Sequence, residues 1–172
     1  MTEGVVFELA DPSGEPLRIA WSGEALAGLD PAARAQEPVW QLGGELDWGE
    51  IEALRVLSAR LGDQRTVAVV ALRPSAASGH GDEIVSGALG DEEGFDGLEQ
   101  TLLSTEYGPD GLPRRIGLEL YRGDAGLPLR VAGEAIATEI TDDGDTRRTS
   151  AALELRCAGL AGVGVLDVLR RR

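Results

Sequence analysis

Glycine constrains this chain more than any other residue does. Twenty-four of its 172 residues are Gly, about twice the usual share of roughly 7%. They do not cluster; they cut the chain into short segments rich in Val, Leu, Ile and Ala. Apolar segments punctuated in this way are the pattern of an antiparallel β protein. Val5 to Leu9 and Leu17 to Trp21 flank Asp11-Pro12-Ser13-Gly14, where Pro presets φ and Gly accepts a positive φ, so the two form a hairpin. Further strands are expected at Thr66 to Leu72, Ile84 to Leu89, Leu98 to Tyr107, Arg115 to Tyr121, Leu127 to Ile140, Thr149 to Cys157 and Val163 to Leu169. Two of these alternate strictly. Ile116, Leu118 and Leu120 share one face, as do Ala151, Leu153, Leu155 and Cys157.

Two stretches are less regular. Ser22 to Pro38 is Ala-rich around Asp30-Pro31, which fits a loop or a short helix capped by Asp. Asp47 to Leu61 reads both ways. Asp47 and Glu50 have capping-box spacing, and Leu54, Leu57 and Leu61 share a helical face. Gly62-Asp63 and the β-branched run after it instead make 48–61 the first arm of a hairpin. Nine or ten strands joined by tight turns favour an all-β, antiparallel up-and-down meander that closes into a barrel, with at most one or two short helices. No linker or composition break appears, so residues 1–172 are expected to be one domain. Small residues at Gly133, Ala135, Ala137, Gly162 and Gly164 leave two outcomes open: room for a ligand inside, or sharply coiled strands around a filled core.

Charge and rare residues exclude several classes. The net charge is −14, which disfavours nucleic acid and anionic membranes as partners. All the basic residues are Arg, and neither Lys nor Asn occurs, as the codon bias of a GC-rich, bacterial genome would produce. Without Lys there is no phosphate loop of the Gly-x-x-x-x-Gly-Lys kind, and no Gly-x-Ser-x-Gly nucleophile elbow occurs. The single Cys157 and single His80 exclude an internal disulfide and Cys- or His-rich metal sites. No signal peptide or membrane span is visible, so a cytoplasmic location is expected. No cofactor or metal is expected.

Several segments resemble a known group. RTVAVVALRPSAASGH at 65–80, LSTEYGPDGLPRRIGLELY at 103–121, PLRVAGEA at 128–135 and GVGVLDVLRR at 162–171 are similar to the lipocalin-like (calycin) domains of the hydroxyneurosporene synthase, or carotenoid-hydratase, type. The resemblance covers a little over half the chain and matches no catalytic motif. It implies a calycin-like barrel and an apolar small-molecule ligand. Members of that group usually carry two barrels in tandem, and this chain has length for one.

Candidate site residues follow. His80, between glycines and close to Asp82 and Glu83, has the composition of a general acid/base set for a hydratase or isomerase; the plainer reading is a solvated loop. Arg73 at a strand end could clamp a ligand carboxylate, or simply pair with an acid. Trp21, Trp40 and Trp48 could line an apolar site, or plug the barrel or join its core. Tyr107, beside Glu106 and facing Arg114-Arg115 across a turn, and Tyr121 complete the set. The acidic stretches 91–99 and 142–145 lack a full calcium ligand ladder and read as turns. The expected function is binding of an apolar small molecule. The alternatives are an enzyme acting on that molecule and a non-catalytic interaction module, with a homodimer left open.

Overall fold

The computed structural model describes residues 4–33, 37–79, 82–123 and 126–172. Among them are twelve strands and one α-helix. Ten strands fall where the glycine punctuation places them, and Ile51–Leu61 is a strand rather than a helix. Two short strands, Trp40–Gly43 and Phe95–Gly97, are additional. Neither has length enough to display an alternation.

In chain order, β1 (Val5–Ala10), β2 (Pro16–Trp21) and β3 (Trp40–Gly43) form a small antiparallel sheet. Between β2 and β3 lie α1 (Gly23–Ala27), capped by the Ser22 hydroxyl accepting from Ala25 N, and a single 3₁₀ turn at Pro31–Ala33. The main sheet contains β4 (Ile51–Leu61), β5 (Arg65–Pro74), β6 (Ile84–Gly90), β7 (Phe95–Gly97), β8 (Gln100–Tyr107), β9 (Pro113–Tyr121), β10 (Leu129–Asp143), β11 (Thr146–Cys157) and β12 (Leu160–Arg171). Its order is β7-β6-β5-β4-β12-β11-β10-β9-β8, all antiparallel. This is a meander whose first and last strands, β4 and β12, pair with each other. The sheet curls through 250° as a half-barrel.

The opening lies on the far side, where β6 and β8 part. Leu98 N donates to Gly87 O at 3.0 Å and Glu99 N to Tyr121 O at 2.9 Å, so the chain leaves β6 and joins β9 within two residues. A Cβ at Gly87 would overlap the Thr101 hydroxyl, so only glycine allows this close approach. Beyond that point no ladder joins β6 to β8 among the described residues.

Two cores share the wall. Inside, Leu57, Val69, Leu103, Leu118, Leu153 and Leu166 belong to one buried cluster that fills the concave face. Outside, Leu54, Val56, Ala68, Val70 and Leu72 form a second core with Leu17, Ile19, Trp21 and Leu26 of the N-terminal cap. β4 and β5 are therefore apolar on both faces, as strands covered on two sides must be. The helical face seen in sequence dissolves accordingly: Leu57 and Leu61 point inward, Leu54 outward to the cap.

The small residues coil strands around this filled interior. A Cβ at Gly162 would land on the Arg60 carbonyl oxygen of the neighbouring strand. Gly162→Ala should therefore destabilise the chain by about 1–3 kcal/mol, the usual range for overpacking. Chemical-denaturation midpoints measure this, and an unchanged midpoint would contradict the close approach of β12 to β4.

Candidate functional site

The split between β6 and β8 gathers polar side chains that the sequence holds far apart. Arg55 occupies an inward-facing position of β4, in register with Ala71 of β5 and, through it, Val85 of β6. From there its guanidinium reaches both lips of the split. Nη2 donates to Glu83 Oε2 at 2.5 Å on the β6 side. Nη1 donates to Thr105 Oγ1 at 2.7 Å, and Nη2 to the Leu103 carbonyl at 3.2 Å, on the β8 side. Leu103 O sits on the edge of β8 that lacks a strand partner, so the guanidinium replaces a missing ladder bond. Arg55 and Glu83 side chains are only 8% and 7% exposed. Arg73 lies 3.6 Å from the other Glu83 oxygen and donates to Glu52 at 2.8 Å. The contact with Glu52 is the main reason its guanidinium is held even more firmly protonated than usual.

Beside this network Tyr107 lies under the Arg170 guanidinium, 5.2 Å from its ring centre, a cation–π contact. Arg55, Glu83, Arg73, Thr105, Tyr107 and Arg170 together border a recess of about 300 Å³ at this end of the barrel. Three expected site residues thus meet here: Glu83, Arg73 and Tyr107. Three others, Arg55, Thr105 and Arg170, do not stand out in sequence. Arg55 carried one signal, a charge on a face of β4 otherwise made of Ala53, Leu57, Ala59 and Leu61.

The remaining candidates go elsewhere. His80 lies outside the described residues. Asp82 is not at the Glu83 carboxylate's site: it is exposed and accepts from Ser78 N and Oγ at 2.9 and 3.1 Å. The bond from Ser78 N, then that from its hydroxyl, holds the Asp82 carboxyl below its ordinary range. Tyr121 is on the outer face, donating to Glu119 at 3.1 Å, a bond that keeps its phenol above the usual value. Glu106 is in register with Arg115, but Arg115 pairs instead with Glu134 of β10, at 3.6 Å.

The tryptophans neither line the interior nor stop an open end. Trp21 and Trp40 are buried in the outer core, and Trp48 packs against it half-buried. Each indole N–H finds a partner on the main sheet: Trp21 donates to Ser58 Oγ (2.9 Å), Trp40 to Asp167 Oδ2 (2.7 Å) and Trp48 to Thr146 Oγ1 (3.2 Å). They fasten the cap, because a buried indole needs an acceptor and the barrel wall supplies three.

Two larger clefts remain. One, of about 550 Å³, opens at the split and extends across β8, β9 and β10; it is lined by Val85, Leu102, Leu103, Leu118 and Val131, with Glu83, Ser104, Glu119, Arg130 and Arg156 as polar groups. The other, about 850 Å³, lies between Trp40, Leu42, Leu46 of the cap side and the β10–β11 hairpin. Among the described residues no group of three or more His, Cys, Asp or Glu gathers for a metal, and no helix is long and apolar enough to cross a membrane. The chain matches no protein-family model and no curated protein.

Two predictions follow from these contacts. Replacing Arg55 by Met leaves the Glu83 carboxylate with only the more distant Arg73, and should cost about 3–5 kcal/mol; the double replacement of Arg55 and Glu83 by Met should cost clearly less than the two single changes summed. Additive costs in equilibrium unfolding would mean the pair is not coupled. The second concerns Asp167. Burial raises its carboxyl above the ordinary 3.8, opposed by hydrogen bonds from Ser150 and Trp40. The folded chain then binds a proton that the unfolded chain releases, which favours folding in acid and is lost as pH rises through the native value. The stability of Asp167→Asn relative to the parent should therefore increase as pH rises from about 4. A pH-independent difference would show that the carboxylate carries no burial cost.

Proposed function

We propose that this chain binds an apolar small molecule, and that the molecule lies along the split in the half-barrel rather than in a hollow centre. The observation that carries this reading is the cleft of about 550 Å³ bordered by Val85, Leu102, Leu103, Leu118 and Val131. That volume is within the range of ordinary ligand sites, about 300–1,000 Å³, and a mostly aliphatic wall with few polar groups is their usual chemistry. The filled interior supports the same placement, since Leu57, Val69, Leu118 and Leu153 occupy the space a central guest would need. Arg55 contributes by keeping the two lips at a fixed distance, so the cleft is formed before any ligand arrives.

The finer kinship, with lipocalin-like domains of the carotenoid-hydratase type, belongs to the same proposal. It rests on the segments at 65–80, 103–121, 128–135 and 162–171, and a curled antiparallel half-barrel is compatible with it. An elongated hydrocarbon would suit a cleft that runs from the split across β8, β9 and β10. Binding is favoured over catalysis because both Glu83 oxygens are engaged by guanidinium groups and Asp82 is turned toward Ser78.

Saturable binding of an environment-sensitive apolar dye tests the proposal. Leu102 is 44% exposed, so Leu102→Glu should leave the fold intact while weakening dye binding by about tenfold or more, the effect of placing a charge on an apolar contact. No saturable binding, or binding indifferent to Leu102→Glu in a folded protein, would overturn it.

A further inference from the structure

β10 outruns its partner on one side. β9 pairs with it only from Leu129 to Glu134, and the register with β11 shifts between Ala135 and Ala137. From Ile136 to Asp143 the strand is bonded to β11 alone; among the described residues no strand lies on its other edge. Such an edge presents alternate N–H and C=O groups that an extended chain can pair with. Ile136 and Ile140 on this stretch are 60% and 51% exposed, more than a strand with no partner needs to be.

The edge is also acidic. Glu139, Asp142 and Asp143 lie on it, with Asp145 at the turn. Asp142 is answered by Arg147 at 2.8 Å and Arg172 at 3.5 Å. Asp143 has no ion pair among the described residues. It lines the cleft of about 850 Å³, where Asp142, Asp145 and, from the cap side, Glu45 outnumber the single cation Arg148 among the described residues. Asp143 and Thr141 share the outer face of the strand, since both are in register with outward residues of β11. A strand added here would place one row of side chains over that acidic cleft and the other row near Ile140.

We infer that the Ile136–Asp143 edge of β10 is a docking site for an extended peptide in which basic residues alternate with apolar ones, added as a further strand of the sheet. The alternation follows from the two faces of a strand: one row meets Asp143, the other Ile140 beside Asp142, whose charge Arg147 and Arg172 already answer. A second copy of this chain fits less well, because it would bring Glu139, Asp143 and Asp145 of both copies together on a protein of net charge −14.

Backbone amide exchange on the full chain tests this. The probe is a synthetic peptide alternating Val and Arg, roughly eight residues long to match one strand, with a Val–Glu peptide as control. The amides on the open edge of 136–143 should exchange at least about tenfold more slowly with the Val–Arg peptide and be unchanged by the Val–Glu peptide. The double variant Asp143→Arg, Asp145→Arg should weaken binding by about tenfold, two surface charge pairs' worth, and Ile140→Thr should also weaken it while leaving the circular dichroism spectrum unchanged. Equal binding of both peptides, slowed exchange elsewhere, or no binding would overturn the proposal. So would an edge already protected without peptide in a dimer that grows with concentration; that result would assign the edge to a second copy.

Discussion

A rolled sheet that does not complete its hydrogen-bonded ring must do something with the two edges it leaves. Here one buried guanidinium bridges the gap, from the start of β6 to β8. Arg55 stands inside the barrel yet bonds to a carboxylate just before β6 and to a hydroxyl and a carbonyl on β8. An uncompensated charge at so low an exposure would be prohibitive; five N–H donors in a fixed fork let Arg satisfy three acceptors in different directions at once. A Lys ammonium could not span the same separation with the same rigidity. The pair with Glu83 is not best understood as a source of stability, since buried ion pairs often do no better than apolar replacements. Its effect is on shape: it sets how far the lips stand apart.

The opposite side of the barrel is governed by a different constraint. β4 and β5 have no polar face, so the sheet would expose a wide apolar surface without the cap. Three indole N–H groups and the acceptors Ser58, Asp167 and Thr146 give that contact one orientation. Asp167 is the costly member, a carboxylate buried between Trp40 and Ser150. The cap and the split thus lie on different parts of the wall, and a ligand at the split need not disturb the cap.

Much of this architecture can be read from residues alone. Alternation fixed the faces of β9 and β11, and Asp-Pro-Ser-Gly marked the first hairpin, because those signals are local. The short strands β3 and β7 had no such signal; their strand geometry is imposed by neighbours β2 and β6. The burial of β4 and β5 on two faces was not read from the sequence, because Glu52, Arg55, Ser58 and Arg60 interrupt the apolar pattern of β4. Of the roles left open for the tryptophans, Trp21 and Trp40 take the core one, under the cap and not inside the barrel, and nothing local distinguishes an indole facing in from one facing a cap. Glu83, Arg73 and Tyr107 were legible as chemistry-bearing residues, but Arg55, which joins Glu83 to Thr105, was not, as its contacts join positions about thirty to fifty residues apart.

The central claim is that Arg55 sets the separation of the two lips. Paired spin labels at Ile84 and Leu102, which are 39% and 44% exposed, report that separation directly in a background where Cys157 is replaced by Ala. A single narrow distance distribution that lengthens and broadens in Arg55→Met is the result predicted. A distribution identical in the two proteins would contradict it, and would mean that the split is held by the surrounding strands alone.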